Sequence, residues 1–239
     1  MKNFTKYNSS AIDYYNTISS KYDDLLNTNP LNKILRDEVR QYFIENVNGK
    51  LVFDLGSGTG SDINWLIKAG FSVIFCEPAE KMKQIAVENV KKMKSSESVL
   101  FLSKESSDYQ SWSKNNLPFE GKADAVLSNF AVLNSIKNMN ALSEKLALIT
   151  NENSPLIVIV LNVKVKYLLR HCLTILESII KGNGLTVSIK HGETQLITYL
   201  HKKKNLVRSM SKYFKVIRIF FLSDESFLLI HFERNEKVV

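Results

Sequence analysis

The segment Leu51-Val-Phe-Asp-Leu-Gly-Ser-Gly-Thr-Gly60 constrains this chain more than any other. Leu51 to Leu55 is a short apolar run, the pattern of a strand covered on both faces, with Asp54 near its carboxyl end. Gly56, Gly58 and Gly60 follow on alternate positions. Without β-carbons, these residues let the chain turn sharply and bring its backbone close to a bound small molecule. Helix-compatible sequence resumes at Ser61-Asp62, so the free N–H groups of a helix N-terminus would face the same place. A strand, a glycine turn and a helix in that order form the first unit of a parallel α/β sheet with a nucleotide-type site at its edge.

Two familiar glycine loops fit poorly. The dinucleotide loop reads Gly-x-Gly-x-x-Gly, but here the third glycine falls at 60 and position 61 is serine. The phosphate loop of nucleoside triphosphatases ends in Gly-Lys-Ser/Thr, which this segment lacks. What stands instead is Asp-x-Gly-x-Gly-x-Gly. A carboxylate ahead of the first glycine repels a pyrophosphate but can hold a cationic amine. S-adenosylmethionine (SAM) carries such an amine beside its sulfonium and has no phosphate, so the chemistry favours it. Phe71-Ser-Val-Ile-Phe-Cys-Glu77 is a second β-rich run, and its terminal acid can accept both hydroxyls of an adenosine ribose. Pro78 stops that run, and Ala79-Glu-Lys-Met82 opens a helix whose first turn would lay Met82 against the adenine.

On Asp54–Gly60, Glu77–Met82 and Ala123-Asp-Ala-Val-Leu-Ser-Asn-Phe130, the chain resembles the class I SAM-dependent methyltransferases from about Tyr14 to its C-terminus. The likeness is to the branch that methylates small molecules, whose members often open with a Tyr-Asp pair, matched by Tyr22-Asp23. It implies a Rossmann-like, doubly wound, seven-stranded and mostly parallel α/β sheet, with SAM as cofactor and S-adenosylhomocysteine as product. The cofactor residues implied are Asp54, Gly56, Ser57, Gly58, Gly60, Glu77, Pro78 and Met82, with Tyr14 or Tyr22 closing over them. An adenine-binding loop after the third strand offers Glu105, Ser106 and Ser107. Relatives that methylate exocyclic amines carry Asn/Asp-Pro-Pro-Tyr/Phe after the fourth strand. Asn129 begins that pattern, but Phe130 and Ala131 replace the prolines. Asn129 and Phe130 then flank the methionine half of SAM, and Tyr15, Leu133, Asn134 and Tyr199 are the candidates for acceptor contacts.

The rest of the chain fits one domain with two additions. Its 239 residues suit a single α/β unit. Helical spacing of Ile12, Tyr15, Ile18 and Tyr22, resumed after Pro30, predicts an N-terminal helical cap over 1–48, with the core at 49–239. Strands are predicted near 51–55, 71–77, 99–103, 124–128 and 155–161, and helices near 62–69, 79–94, 139–149, 163–181 and 201–213. Alternation on either side of His191-Gly192 predicts a β-hairpin insertion at about 182–200, and 214–221 with 227–232 a closing antiparallel pair.

A net charge of +8 raises nucleic acid as a partner. The densest run, Lys202-Lys-Lys204 with Arg208 and Lys212, lacks the interleaved aromatics of a single-strand binder and reads as a solvated helix face. No apolar stretch is long enough to span a bilayer and no secretory leader is visible, which suggests the cytoplasm. Cys76 and Cys172 read as reduced packing residues, and no cysteine or histidine spacing suggests a metal. His171 and His191 are the candidates for a general base, whereas His231 alternates within a strand and His201 adjoins the lysines. The function expected is methyl transfer from SAM to a small molecule, at oxygen, in a biosynthetic or tailoring pathway. An RNA- or protein-directed methyltransferase and a SAM-binding protein without transferase activity are the alternatives. Oligomeric state is silent.

Overall fold

The computed structural model describes residues 9–93, 96–163, 175, 180 and 184–236. Strands β1 (Leu51–Leu55), β2 (Ser72–Cys76), β3 (Val99–Phe101), β4 (Ala125–Ser128) and β5 (Pro155–Leu161) alternate with helices α3 (Ile63–Lys68), α4 (Glu80–Lys91) and α5 (Met139–Ile149). Ahead of them stand α1 (Ser9–Asn27) and α2 (Pro30–Asn46). After them come a hairpin of β6 (Thr186–His191) and β7 (Thr194–Tyr199), then α6 (Lys203–Met210), β8 (Phe214–Phe221) and β9 (Phe227–Arg234). Seven strands form one sheet in the order β3-β2-β1-β4-β5-β9-β8, with β6 and β7 a separate pair. The first five run parallel, while β9 pairs antiparallel with both β5 and β8. The strand order reverses between β1 and β4, and in such sheets that reversal opens a crevice beyond the carboxyl ends.

β5 is an unbroken apolar run because both its faces are covered. Leu156, Val158 and Val160 pack with Phe53, Trp112 and residues of α5 and α6 on one side. Ile157 and Ile159 pack with Leu35, Val39 and Phe43 of α2 on the other. α2 is therefore built into the sheet's core. It starts where the proline predicted a break: Pro30 takes the first helical position, where a missing N–H costs nothing, and Asn29 accepts from Leu31 N–H at 3.1 Å. α1 lies against α4 and the hairpin.

Several elements are shorter than their sequence pattern. Pro78 and the Ala79 N–H, which donates to Glu77 at 2.7 Å, delay α4 to Glu80, and its helix ends at Lys91. The lysine-rich helix spans Lys203–Met210 rather than 201–213, because Lys202 is still extended. The hairpin turn falls at Gly192-Glu193, with His191 paired to Thr194 and Gly192 at φ +57°, so the register is one residue later than the expected turn. Most of the helix expected near 163–181, with Cys172, lies outside the described residues. β8 protects the sheet edge with a register shift between Val216 and Arg218 and with exposed Lys215 and Arg218. Among the described residues no helix is long and apolar enough to cross a membrane.

Candidate active site

At the strand-order reversal lies a cleft of about 750 Å³, its open mouth included. The glycine loop forms its floor. Gly56 and Ser57 N–H both donate to the Cys76 carbonyl, at 2.8 and 3.2 Å, and Ser57 Oγ bridges Asp54 O and Cys76 N–H. The loop thus crosses from β1 onto the end of β2, which its left-handed glycines allow: φ is +72° at Gly56, +58° at Gly58 and +79° at Gly60. Gly58 N–H donates to Glu77 Oε2 at 3.0 Å, and Thr59 Oγ1 donates to Asp23 of α1 at 2.6 Å. A second bond from α1, Lys81 N–H to Asn16 Oδ1 at 2.9 Å, pins it to the start of α4. α1 consequently covers the cleft and places Ala11, Ile12, Tyr15 and Tyr22 in its wall. Burial pushes the Tyr22 hydroxyl up to about 12 and raises that of Tyr15 further, so both stay protonated donors.

Three carboxylates converge here. Glu77 is buried, and burial pushes its carboxyl up to about 7 despite the two backbone N–H groups it accepts. Asp54 is 2% exposed, and its Oδ2 has no partner among the described residues. Burial first, and the nearby Asp62 charge second, hold the Asp54 carboxyl well above the usual range. Asp62 is better served. It accepts from Trp65 Nε1 at 2.9 Å and Asn129 Nδ2 at 3.0 Å, and Arg36 of α2 lies 3.5 Å away. The Arg36 guanidinium also sits 4.3 Å over the Phe130 ring. Phe130 and Ala131 both adopt left-handed backbone, at φ +51° and +63°, which costs a non-glycine residue about 1 kcal/mol or more. Phe130 N–H to Asn129 Oδ1 and Ala131 N–H to the Ile159 carbonyl, both 2.9 Å, hold that bend. Two further unpartnered oxygens, Ser107 Oγ and Ser128 Oγ, are buried at the same carboxyl-end edge as Asp54. Buried polar atoms without partners are uncommon, and these three follow or lie at the ends of strands on one edge of the sheet.

The structure gathers most of the residues singled out by sequence. Gly56, Ser57, Gly58, Glu77, Pro78, Met82, Asn129, Phe130, Tyr15 and Tyr22 line the cleft. Asp54 lies beneath it, and Gly60 packs behind the loop, where an added Cβ would stand 2.8 Å from Ile63 Cδ1. Glu105 and Ser106 stay outside the lining, in a loop where Ser106 O accepts from Trp112 Nε1 at 2.8 Å. Ser107 is buried, and its carbonyl accepts the Cys76 thiol at 3.7 Å. Tyr14 stands edge-on to His191 at 6.5 Å, and the exposed His191 closes the hairpin rather than facing the cleft. Leu133 is fully buried core. Asn134 is a brace: its amide donates to the Tyr199 carbonyl at 2.6 Å and accepts from Leu161 N–H at 3.0 Å. Tyr199 lines a different cavity. His171 lies outside the described residues. Arg36, Asp62, Thr59 and Ser135 also line the cleft, and sequence reading passed over them. No local pattern marks Arg36, and Asp62 reads as an ordinary helix start. No group of three or more histidine, cysteine or acidic side chains among the described residues could hold a metal.

Residues 53–157 match the family model described as a methyltransferase domain. That stretch holds the glycine floor, Glu77 and the Asn129–Phe130 bend, and it is similar to a methyltransferase domain. Solved structures repeat the fold at low identity. The magnesium protoporphyrin IX methyltransferase of Synechocystis PCC 6803, with bound S-adenosylhomocysteine, is 20% identical with a TM-score of 0.61, over 95% of this chain and 99% of that one. DhpI, in complex with SAM, is 14% identical with a TM-score of 0.71, over 97% and 99%. The 1,6-didemethyltoxoflavin-N1-methyltransferase of Burkholderia thailandensis is 11% identical with a TM-score of 0.63, over 99% and 92%. No curated protein sequence matches the chain.

Burial of the Glu77 carboxyl makes the stability of the fold pH-dependent. Between the ordinary value of 4.5 and about 7, the folded protein keeps a proton that the unfolded chain has released, so apo stability falls as pH rises. We propose that the ribose hydroxyls of SAM donate to the ionised form of Glu77, so that SAM affinity runs the opposite way. Calorimetry at about pH 8 should give a several-fold tighter Kd than at about pH 6, and Glu77→Gln should flatten the difference. Equal affinities for the wild type at both pH values would contradict this role for Glu77.

Proposed function

We propose that this methyltransferase moves a methyl group from SAM to a small-molecule acceptor, at oxygen, in a biosynthetic or tailoring reaction. The observation that carries the donor half is the buried Asp54 carboxyl beneath a glycine floor, its Oδ2 without a partner among the described residues, with Glu77 one strand away. These residues suit a ligand with an ammonium at one end and a ribose at the other. Asp54 takes the ammonium, Glu77 the ribose hydroxyls, and Pro78 with Met82 the adenine face. Among the described residues Arg36 supplies the one cationic group in the cleft lining, and it pairs with the carboxylate of the amino-acid half. When bound, SAM supplies a methyl already activated by its sulfonium. The chain's own contribution is then positioning, worth several kcal/mol when two reactants are held in line, and exclusion of water. Tyr15, Tyr22 and Phe130 close the cleft on that account.

The small-molecule reading is supported by α1, which covers the cleft and lines it with Ile12, Tyr15 and Tyr22, and by the company of small-molecule enzymes among proteins of this fold. The exposed face of α6, with Lys203, Lys204 and Arg208, is separate from the cleft lining. Calorimetry with SAM, S-adenosylhomocysteine and NAD tests the donor. SAM binding in the micromolar range and none for NAD is expected, and SAM binding weaker than about 1 mM would refute the reading. Arg36→Met should weaken SAM about tenfold. It should leave adenosine binding unchanged, because Arg36, with its partners Asp62 and Phe130, serves the amino-acid half of the ligand and not the nucleoside.

A further inference from the structure

Resting on that reading of the cleft, we propose that a second cavity is the acceptor site, that it takes a planar molecule bearing an anionic group, and that His201 receives the proton its hydroxyl loses. This cavity encloses about 1280 Å³, its mouth included, and shares Ser135 with the cofactor cleft. Its wall joins the end of the segment after β4, the last residue of β7 and the start of α6. The Asn134 brace holds these parts together, since it ties the β7 terminus to the last residue of β5.

The lining divides by chemistry. Tyr109, Ile136, Met139 and Leu206 are buried and give an apolar floor. Asparagines 138, 140 and 205 and the ammonium of Lys137 stand exposed at the rim. Among the described residues no carboxylate lines the cavity, and Lys137 is its one charged group. Lys202, Lys203 and Lys204 extend the positive field past the rim. An apolar slot under a cationic mouth selects a flat acceptor with an acid group directed outward.

His201 lies in the wall of this cavity with a defined tautomer. Its Nε2 is 2.9 Å from the Ile136 carbonyl and 3.1 Å from the Leu133 carbonyl. Carbonyls only accept, so Nε2 carries the proton and Nδ1 keeps its lone pair. The ring lies within 20° of parallel to that of Tyr199, at 6.3 Å. Burial lowers its pKa, which keeps the imidazole neutral at physiological pH. The other titratable groups on the lining are Lys137, Tyr109 and Tyr199. In the transfer, the acceptor oxygen's lone pair forms the new C–O bond while the C–S bonding pair stays on sulfur as a neutral thioether. The hydroxyl proton passes to Nδ1 of His201, and solvent later removes it.

The test uses the full chain saturated with S-adenosylhomocysteine, and the ring nitrogen signals of its histidines, with His201 assigned by their loss in His201→Gln. Nδ1 should resonate as an unprotonated nitrogen. 4-Hydroxybenzoate should shift it saturably, whereas benzoate should bind without moving it. Phenol should bind at least about tenfold more weakly than 4-hydroxybenzoate, and Lys137→Met should abolish that preference. A protonated Nδ1 would overturn the role given to His201. A His201 ring unmoved by 4-hydroxybenzoate with S-adenosylhomocysteine bound would overturn the acceptor site and leave the donor reading standing. Failure of S-adenosylhomocysteine itself to bind falls on the donor reading instead.

Discussion

Asp54→Asn is expected to raise the melting temperature of the apo protein at neutral pH while weakening SAM about 100-fold. The two effects share one cause. The Asp54 carboxylate is 2% exposed with an unpartnered oxygen, and it faces the Asp62 charge. Its folded pKa therefore lies above the unfolded 3.8. From that unfolded value upward, the folded state either holds a proton that the unfolded chain gives up or carries a poorly solvated charge. Stability is then lost as pH rises toward the folded pKa, and none is lost below the unfolded one. The amide keeps the shape without the charge, so the variant should gain about 1 kcal/mol or more at neutral pH and little at about pH 4. A charged hydrogen bond to the ligand ammonium is worth about 3 kcal/mol, hence the 100-fold loss. Scanning calorimetry of the apo protein and titration with SAM read both sides. A variant that melts lower and binds SAM as before would refute this account of Asp54.

Gly56→Ala should cost about 2–5 kcal/mol of stability and abolish SAM binding. Gly56 sits at φ +72°, and a Cβ there would stand 2.4 and 2.6 Å from the two γ-carbons of Val132. Val132 is β-branched and cannot swing aside cheaply. It follows Ala131, which is itself held in left-handed backbone. Relief of the clash would move either the glycine floor or the bend that carries Phe130. Gly70→Ala is the control: it too is left-handed, at φ +91°, but nothing lies within 4 Å of the added carbon. It should cost only about 1 kcal/mol and leave SAM affinity intact. Equal losses in the two variants would show that backbone strain alone, rather than the crowding at Val132, accounts for the cost.

What was legible in the sequence was local. Leu51–Leu55, the three glycines and the acid at 77 announce themselves because strand, turn and strand-end acid are neighbours along the chain. The alternation of strand and helix led to the correct architecture for the same reason, since parallel strands with short helical returns leave few topologies open. Boundaries slipped where a single side chain decided them. Glu77 receives the Ala79 N–H and delays α4, and the turn of the hairpin moved one residue because Gly192 took the left-handed position.

Contacts between distant segments were not legible. Arg36 reaches Asp62 and Phe130 only because α2 packs on the sheet beside the end of β4. Asp23 was noticed as half of a pair, but its bond to Thr59 depends on α1 lying over the glycine loop. Asn134 looked like an acceptor contact and is a brace, while His201, set aside beside its lysines, is buried on two carbonyls. The sequence by itself determined the order of strands and helices and the make-up of the glycine floor with its two acids, through periodicity and the chemistry of adjacent residues. Only the tertiary structure decided which remote side chains close the cleft and where a second cavity opens beside it. Those choices rest on packing and on hydrogen bonds between segments far apart in the chain, and no local pattern encodes them.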